Sequence, residues 1–379
     1  MQFQIKRDKL LKSLSIAHNI VERKNTIPIL ANVLLETKNN ILKVVATDLD
    51  LVFSDEISDL KIDQEGSTTT SATVLYDLLR KLPSNLDVIF DLQSENKLKI
   101  SAKNSKFNLL CLPVDNFPNF TDDFNGKPLK LERKKFLSLL NKTKISMSND
   151  DTRHYLNGIF IHTTASNKSS YLTGVATDTH RLSSSSIQIE NVENFKPFIL
   201  PHKTVLQLCN LLQETSDDAS LYVGDTKIQF RIGNSKIISK VIDGKFPDYD
   251  KVVPKNNNKI LNVDVKDFID SVERVITVSI DRKEGVKLTL DKDNIQLFVN
   301  SSSSGEGKET LTANYNSEIF TISFNSRYLL DIASAIEDKK LIMNLNDAAS
   351  PVLIQDNSDK QSYYVIMPMK IWNFFIFIK

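Results

Sequence analysis

The chain has 379 residues, with 48 Lys+Arg against 47 Asp+Glu and a net charge of +1. That balance excludes a histone-like or tail-type nucleic-acid binder, whose excess charge shows in the total. A 41% hydrophobic and 25% charged composition excludes disorder, and no apolar run of membrane-spanning length occurs. The two cysteines, Cys111 and Cys209, are far apart and suit a reducing compartment. The N-terminal MQFQIKRDKLLKSL lacks the uninterrupted apolar core of a secretory signal, so the cytoplasm is the expected location.

Taken in chain order, the elements repeat. Apolar residues at helical spacing open each of three stretches: Leu10, Leu11 and Leu14; Phe136, Leu137 and Leu140; Phe268, Ile269 and Val272. Alternating strand patterns follow, such as Leu156–Ile161 and Val286–Leu290. A second helix is predicted at Thr73–Leu82, His202–Gln213 and Ser326–Glu337, and strands resume after each. Internal markers agree with this order. Leu42–Asp48 matches Leu172–Asp178 at an offset of 130 residues, and Phe117–Phe120 matches Phe246–Tyr249 at 129. A fainter third copy lies 254 residues after the first, where Ile295–Ser301 follows Ile41–Thr47 and Asp331 follows Asp77. Turn signals at Asn39-Asn40, Gly233-Asn234 and Asp243-Gly244 separate the strands. The expected fold is α+β: three similar domains at residues 1–125, 126–254 and 255–371, each helix, strands, helix, strands, with an apolar tail at 372–379.

Charge is partly segregated. The first helices carry Lys6, Arg7, Lys9 and Lys12, then Arg133, Lys134, Lys135, Lys142 and Lys144. The second helices add Arg80, Lys81, Lys203 and Arg327. Basic helix faces on a neutral chain suit a phosphate backbone contacted without reading bases. In the third domain Asp264, Asp267 and Asp270 offset Lys266 and Arg274. Nucleotide-binding, zinc-protease and nucleophile-elbow motifs do not occur. Asp178 and His180, two apart on a strand pattern, form the one candidate metal or acid–base pair, so a metal-dependent hydrolase stays open as an alternative. Asp178 matches Asp48 in the first repeat, which favours a turn role.

Five ordered segments carry a family resemblance: Thr26–Asn32, Arg153–Gly158, Ala176–Leu182, Asp243–Tyr249 and Tyr364–Lys370. Over residues 1–371 the chain resembles the bacterial DNA sliding clamp family, the β subunit of DNA polymerase III. The resemblance implies a non-enzymatic processivity factor without cofactors. Its domains would each pack two helices on antiparallel sheets, and one protomer would form half of a closed, head-to-tail homodimeric ring around duplex DNA. The polymerase III α subunit, the clamp loader δ subunit and other clamp-motif proteins are the implied partners, with no membrane partner. A monomeric peptide-binding adaptor is the other alternative.

The resemblance also implies sites. A peptide pocket would use Arg153, Tyr155, Leu156, Thr177, Thr179, His180, Arg181, Leu182, Pro247, Lys251, Val252, Tyr328, Ala349, Pro351, Val365, Ile366, Met367, Pro368, Met369, Lys370 and Ile371. DNA would meet Lys24, Arg80, Lys81, His154, Tyr155 and Lys203. The ring contact would set Phe107 and Leu109 against Thr277 and Val278, the latter smaller than the large aliphatics common there. Lys251 and Lys370 stand where Arg is common, keeping charge without the bidentate fork. The family pattern ends near Ile371, yet Trp372-Asn373-Phe374-Phe375-Ile376-Phe377-Ile378-Lys379 continues. Eight residues are too few to span a bilayer. The tail is expected to fold back over the peptide site or to pack on a neighbour.

Overall fold

Among the described residues six α-helices form where apolar residues recur every three or four positions: α1 (Arg7–Ile20), α2 (Ala72–Lys81), α3 (Arg133–Lys144), α4 (His202–Glu214), α5 (Val265–Val275) and α6 (Ser326–Ala335). In α5 the buried face is Phe268, Ser271, Val272 and Val275, a single stripe along the helix. Side chains cap several N-termini. Asp264 accepts from Asp267 N at 3.0 Å, and Asn325 accepts from Arg327 N at 3.0 Å. The computed structural model describes all residues except 23–25, 121–123, 125, 167–168, 191–193, 280–284 and 370–379. None of the helices among the described residues is long and apolar enough to cross a membrane.

The helix–strands–helix–strands order recurs three times, as the sequence pattern predicts, but each copy opens one element earlier, with the strand Gln2–Lys6, Leu129–Leu131 or Lys259–Asp264, so Lys6 ends a strand instead of lying on the first helix. The cores, however, group into two units, Met1–Leu137 with Leu200–Ile242, and Ser138–Ile199 with Asp243–Lys379. Backbone ladders explain the regrouping. In the first unit the Leu51–Ile57 strand pairs with Ile41–Thr47 on one side. On the other it pairs with Ser235–Lys240, Val52 facing Ile238. The result is one thirteen-stranded sheet. In the second unit Arg181–Ile189 pairs with Ser169–Thr177 and with Asp359–Ile366, setting Leu182 opposite Val365. The middle repeat thus shares its hydrogen-bonded sheets with both neighbours along the chain, and a shared ladder buries more apolar surface than two open edges.

Local turns follow their sequence signals. Asn39 and Asn40 take φ of 51° and 59°, closing a two-residue hairpin between Asn32–Lys38 and Ile41–Thr47. One strand reading is corrected. Leu156 ends a 3-10 turn, Asp151–Leu156, and the strand begins only at Gly158. Asp150 starts that turn by accepting from Thr152 N at 3.0 Å, which commits the following residues to a helical bend.

Candidate functional site

The Thr177–Leu182 turn is built from its own side chains. Thr177 Oγ1 accepts from Thr179 N at 3.1 Å and donates to Arg181 O at 2.7 Å. Asp178 Oδ1 accepts from His180 N at 3.0 Å and from Arg181 N at 2.9 Å, while Oδ2 takes Arg181 Nε at 3.0 Å. These bonds hold Thr179 at φ 77°, a left-handed conformation that a threonine does not adopt unaided. The first repeat contains the same device. Leu49 sits at φ 79°, its N donates to Thr47 Oγ1 at 2.9 Å, and Asp48 Oδ1 accepts from Asp50 N at 3.0 Å and Leu51 N at 2.7 Å. Asp178 is therefore a turn residue whose carboxylate is engaged by three donors. The metal or acid–base pairing of Asp178 with His180 is not favoured, and no three His, Cys, Asp or Glu among the described residues could hold a metal ion.

Several of the sequence-expected pocket residues lie on this turn or contact it. Arg181, 9% exposed, donates from Nη1 to Asp331 Oδ2 at 2.6 Å and lies 4.2 Å from the Tyr328 ring centroid. Burial and the nearby Asp178 charge raise the Tyr328 phenol above its ordinary value. His180 stacks on Tyr328 at 6.4 Å, and its carbonyl accepts from Met367 N at 2.8 Å. Leu182 and Val365 face each other across the ladder, and Val365 also faces Leu353. Leu156, Leu182, Val365 and Ile366 are buried, whereas Met367 and Met369 are each 40% exposed and Val252 is 50% exposed. Arg153 reaches Thr179 Oγ1 at 3.1 Å and is steadied by Asp150 at 2.9 Å. Two exposed methionines thus follow a strand whose Val365 and Ile366 are buried, and the guanidinium groups of Arg153 and Arg181 are each held by an aspartate.

The other expected pocket residues make contacts of their own. Pro247 is exposed after Phe246, which stacks on Phe160 at 5.0 Å. Lys251 pairs with Asp248 at 2.8 Å, and that carboxylate raises the ammonium above its ordinary value. Ala349 donates to Asp347 at 2.8 Å, and Pro351 O accepts from Asn257 Nδ2 at 2.9 Å. Tyr155 packs against Gly244, whose φ of 149° favours glycine and where an added Cβ would sit tightly, 3.0 Å from Tyr155 Cβ. Pro368 is half-buried between the two methionines. Lys370 and Ile371 lie outside the described residues.

The expected DNA residues are partly committed elsewhere. Arg80 pairs with Asp77 at 3.2 Å and lies 5.6 Å from the Tyr76 ring, and Lys81 is exposed beside it in the last turn of α2. His154 Nε2 donates to Asp243 O at 3.1 Å. Lys203 donates to Ile20 O at 2.7 Å and pairs with Asp48, which ties it into the first unit. Lys24 lies outside the described residues. The basic-face reading of α3 needs one correction. Lys142 is 5% exposed and pairs with Asp359 at 2.8 Å and Glu337 at 3.1 Å, so it belongs to the packing of the second unit.

A partly open strand edge and a turn carry the expected ring-contact residues. Ser105–Leu112 pairs along its length with Lys97–Ala102, but meets Gly66–Ser71 only at Cys111 and Leu112. Phe107 on the open stretch is 36% exposed, Leu109 is half-buried and Leu110 is 83% exposed. In the second unit Gly305–Thr312 is the outer strand of a four-stranded sheet. Thr277 and Val278 lie in the turn after α5; Thr277 is exposed and Val278 packs partly on the core. Arg274 forks onto Glu309 of the outer strand, at 3.0 Å from Nε, and holds that carboxyl below its ordinary range.

Three consecutive stretches match the DNA polymerase III beta subunit: residues 1–121 its N-terminal domain, 130–248 its central domain and 250–370 its C-terminal domain. The chain belongs to the DNA polymerase III beta subunit family. The beta sliding clamp of Caulobacter vibrioides (strain NA1000 / CB15N) is 37% identical over 373 residues, covering 98% of this chain and 100% of the relative. That of Haemophilus influenzae is 32% identical over 371 residues, covering 98% and 100%. A solved C. crescentus beta sliding clamp superposes with a TM-score of 0.92 at 37% identity, covering 98% of this chain and 99% of that one. A Bartonella birtlesii sliding clamp bound to griselimycin also gives 0.92, at 38% identity, covering 98% and 100%. This clamp has three clamp domains of α+β build.

Several residues that shape these clamp surfaces were not picked out by sequence pattern. Asp331 and Asp150 anchor Arg181 and Arg153. Leu353 completes the Leu182–Val365 row, and Ser323 O receives Met369 N at 2.7 Å. Asp331 was visible as a repeat marker opposite Asp77, and position 77 also holds an arginine, Arg80.

Proposed function

We propose that this clamp, a processivity subunit without bond-making chemistry, works by enclosure. The observation that carries the reading is the succession of three clamp-domain matches, at residues 1–121, 130–248 and 250–370. Two copies join head to tail around duplex DNA. The open Ser105–Leu112 edge, with Phe107 and Leu109, meets the Thr277–Val278 region of the other copy. An unpaired edge bearing exposed apolar side chains is a natural template for such pairing, and a heterologous contact that closes at two members makes a ring. The domains are taken as residues 1–125, 126–254 and 255–371, and the working compartment is the cytoplasm.

Arg80, Lys81, His154, Tyr155 and Lys203 face the duplex. Contacts to phosphates are many, weak and blind to sequence, so the ring slides while remaining closed. The pocket around Arg153, Arg181, Leu182, Tyr328, Val365, Met367 and Met369 captures short peptide motifs of the polymerase III α subunit, the loader δ subunit and other partners. Tethering converts polymerase rebinding into an intramolecular event at a local concentration of order millimolar. Primer extension on a singly primed circular template tests the reading. Polymerase with loader and clamp gives long products in one binding event, and products no longer than those of polymerase alone contradict it.

A further inference from the structure

A cleft of about 300 Å³ opens inside the first unit, walled by α1, the Leu51–Ile57 strand, the end of α4 and the turn between Lys227–Ile232 and Ser235–Lys240. The residues that line it all belong to the first unit, whereas the peptide pocket is drawn from the second. Its apolar lining is Ile16, Phe53, Ile57, Leu211 and Ile232, all buried. A volume at the lower end for small-molecule sites, with an apolar lining and a few polar groups, suits a compact ligand.

Two polar features set that ligand's chemistry. Ser13, 3% exposed, lines the cleft from α1, and among the described residues its hydroxyl has no hydrogen-bond partner. A buried hydroxyl left unmet is costly, so a ligand that supplies a partner recovers that loss. The rim is acidic: Asp55, Glu56, Glu214 and Asp217 line the cleft with only two cations, Lys9 and Lys12. Both cations are engaged, Lys9 with the Asp59 carboxylate and Lys12 with the Glu214 carbonyl. Asp55 takes the Ser235 hydroxyl at 2.7 Å and Asp217 that of Thr215 at 3.0 Å. The exposed carboxylates of Glu56 and Glu214 pair with no cation among the described residues. α4 also ends here, and the partial negative charge of a helix C-terminus adds to theirs. Arg133, on α3, already exploits that end, donating to Leu212 O at 3.0 Å.

We propose that this cleft binds a small amphipathic amine. Its ammonium meets the Glu56 and Glu214 carboxylates, its apolar body lies against Ile16, Ile57 and Leu211, and a hydrogen-bonding group at its other end meets the Ser13 hydroxyl. The walls come from two sequence repeats, with α1 from the first and α4 from the second, so an occupant ties the two together. A ligand that binds only the folded chain then stabilises it.

Tyramine, phenethylamine and tyrosol test the parts separately, since phenethylamine lacks the phenol hydroxyl of tyramine and tyrosol lacks its ammonium. Methyl NMR of the full chain, read at Ile16, Ile57 and Leu211, follows each titration. Tyramine should shift these methyls saturably and raise Tm. It should bind roughly three- to fivefold more tightly than tyrosol and about fivefold more tightly than phenethylamine. Glu56→Gln with Glu214→Gln, both at exposed positions, should erase the preference over tyrosol. Ser13→Ala should erase the preference over phenethylamine and leave the unliganded chain at least as stable, because it removes an unmet hydroxyl. No saturable shift with any of the three compounds overturns the proposal. So does tyrosol or phenethylamine binding as tightly as tyramine, or a preference that survives its substitution. A less stable Ser13→Ala chain shows that the hydroxyl is engaged within the fold and overturns it as well.

Discussion

The ammonium of Lys142, on the first helix of the central domain, lies 2.8 Å from the carboxylate of Asp359, on the last hairpin of the C-terminal domain. Glu337, just past α6, closes on the same nitrogen at 3.1 Å. The lysine stem is buried and its charge is met by two carboxylates, so the side chain works as a polar bolt between two sequence repeats.

Lys142→Met keeps the stem and removes the charge, leaving Asp359 facing a buried apolar group. Full burial of both partners would cost about 3–5 kcal/mol and full exposure under 1 kcal/mol. Asp359 is 26% and Glu337 61% exposed, which places the expected loss at about 2 kcal/mol. Chemical denaturation followed by circular dichroism measures it, and a loss under about 0.5 kcal/mol contradicts the assignment.

The same contact fixes a pH dependence. Burial pushes the Asp359 carboxyl up, but the Lys142 ammonium and the Ser362 hydroxyl outweigh burial and hold it below its ordinary value. A depressed carboxyl stabilises the fold above the unfolded value, about 3.9, and that stability is lost as pH falls through the folded value. Lys142 is opposed by burial yet raised on balance by Asp359, so its contribution persists through neutral pH and is lost only in strong alkali. The stability gap between the natural chain and Lys142→Met should therefore stay level from about pH 8 to about pH 5 and narrow below about pH 4. Denaturation midpoints across that range check it, and a gap that widens in acid contradicts it.

The paired turns at Asp48 and Asp178 allow an internal control. Each aspartate accepts two backbone N–H groups and pairs with a cation, Lys203 for the first and Arg181 for the second. Asp48→Ala and Asp178→Ala should each destabilise the chain by about 2 kcal/mol. Only Asp178→Ala should also weaken binding of a peptide at the proposed pocket, by at least about tenfold, because it removes one of the two carboxylates that hold the Arg181 fork over Tyr328. Calorimetry on both variants decides, and equal weakening by both contradicts the placement of the pocket at the second turn.

The sequence was most readable where one physical force acts alone. The stripes Leu10–Leu14, Phe136–Leu140 and Phe268–Val272 mark buried helix faces, and α1, α3 and α5 stand there. The Thr-Asp turn was readable twice because its bonds are local to five residues. Lys142 was misread because a lysine on a helix ordinarily faces water, and its carboxylate partners lie about two hundred residues away. A signal existed: at the offset linking Leu10 with Phe136, Lys142 matches Ile16, which is buried. The division into two units was not readable either, since strand pairing between repeats leaves no mark on periodicity. Among the pocket residues, Leu182 and Val365 face each other across a ladder that strand periodicity alone did not specify. The partners of the arginines, Asp331 and Asp150, were hidden by ordinary surface composition.

The open strand edge gives a prediction about assembly. Leu110, 83% exposed on Ser105–Leu112, has little to lose from a polar replacement in the isolated chain. Leu110→Asp with Phe107→Asp should leave thermal stability nearly unchanged and shift sedimentation at micromolar concentration from dimer to monomer, because two charges would be desolvated at the contact. A variant that still sediments as a dimer contradicts the use of this edge.

Enclosure is most directly tested by loading the clamp onto nicked circular DNA, removing free protein and then linearising half of the sample. A closed ring held by topology stays with the circle through a high-salt wash and runs off the linear ends. Equal retention on both forms, or salt-driven loss from the intact circle, contradicts the account, since either result means that contacts rather than closure hold the protein on DNA.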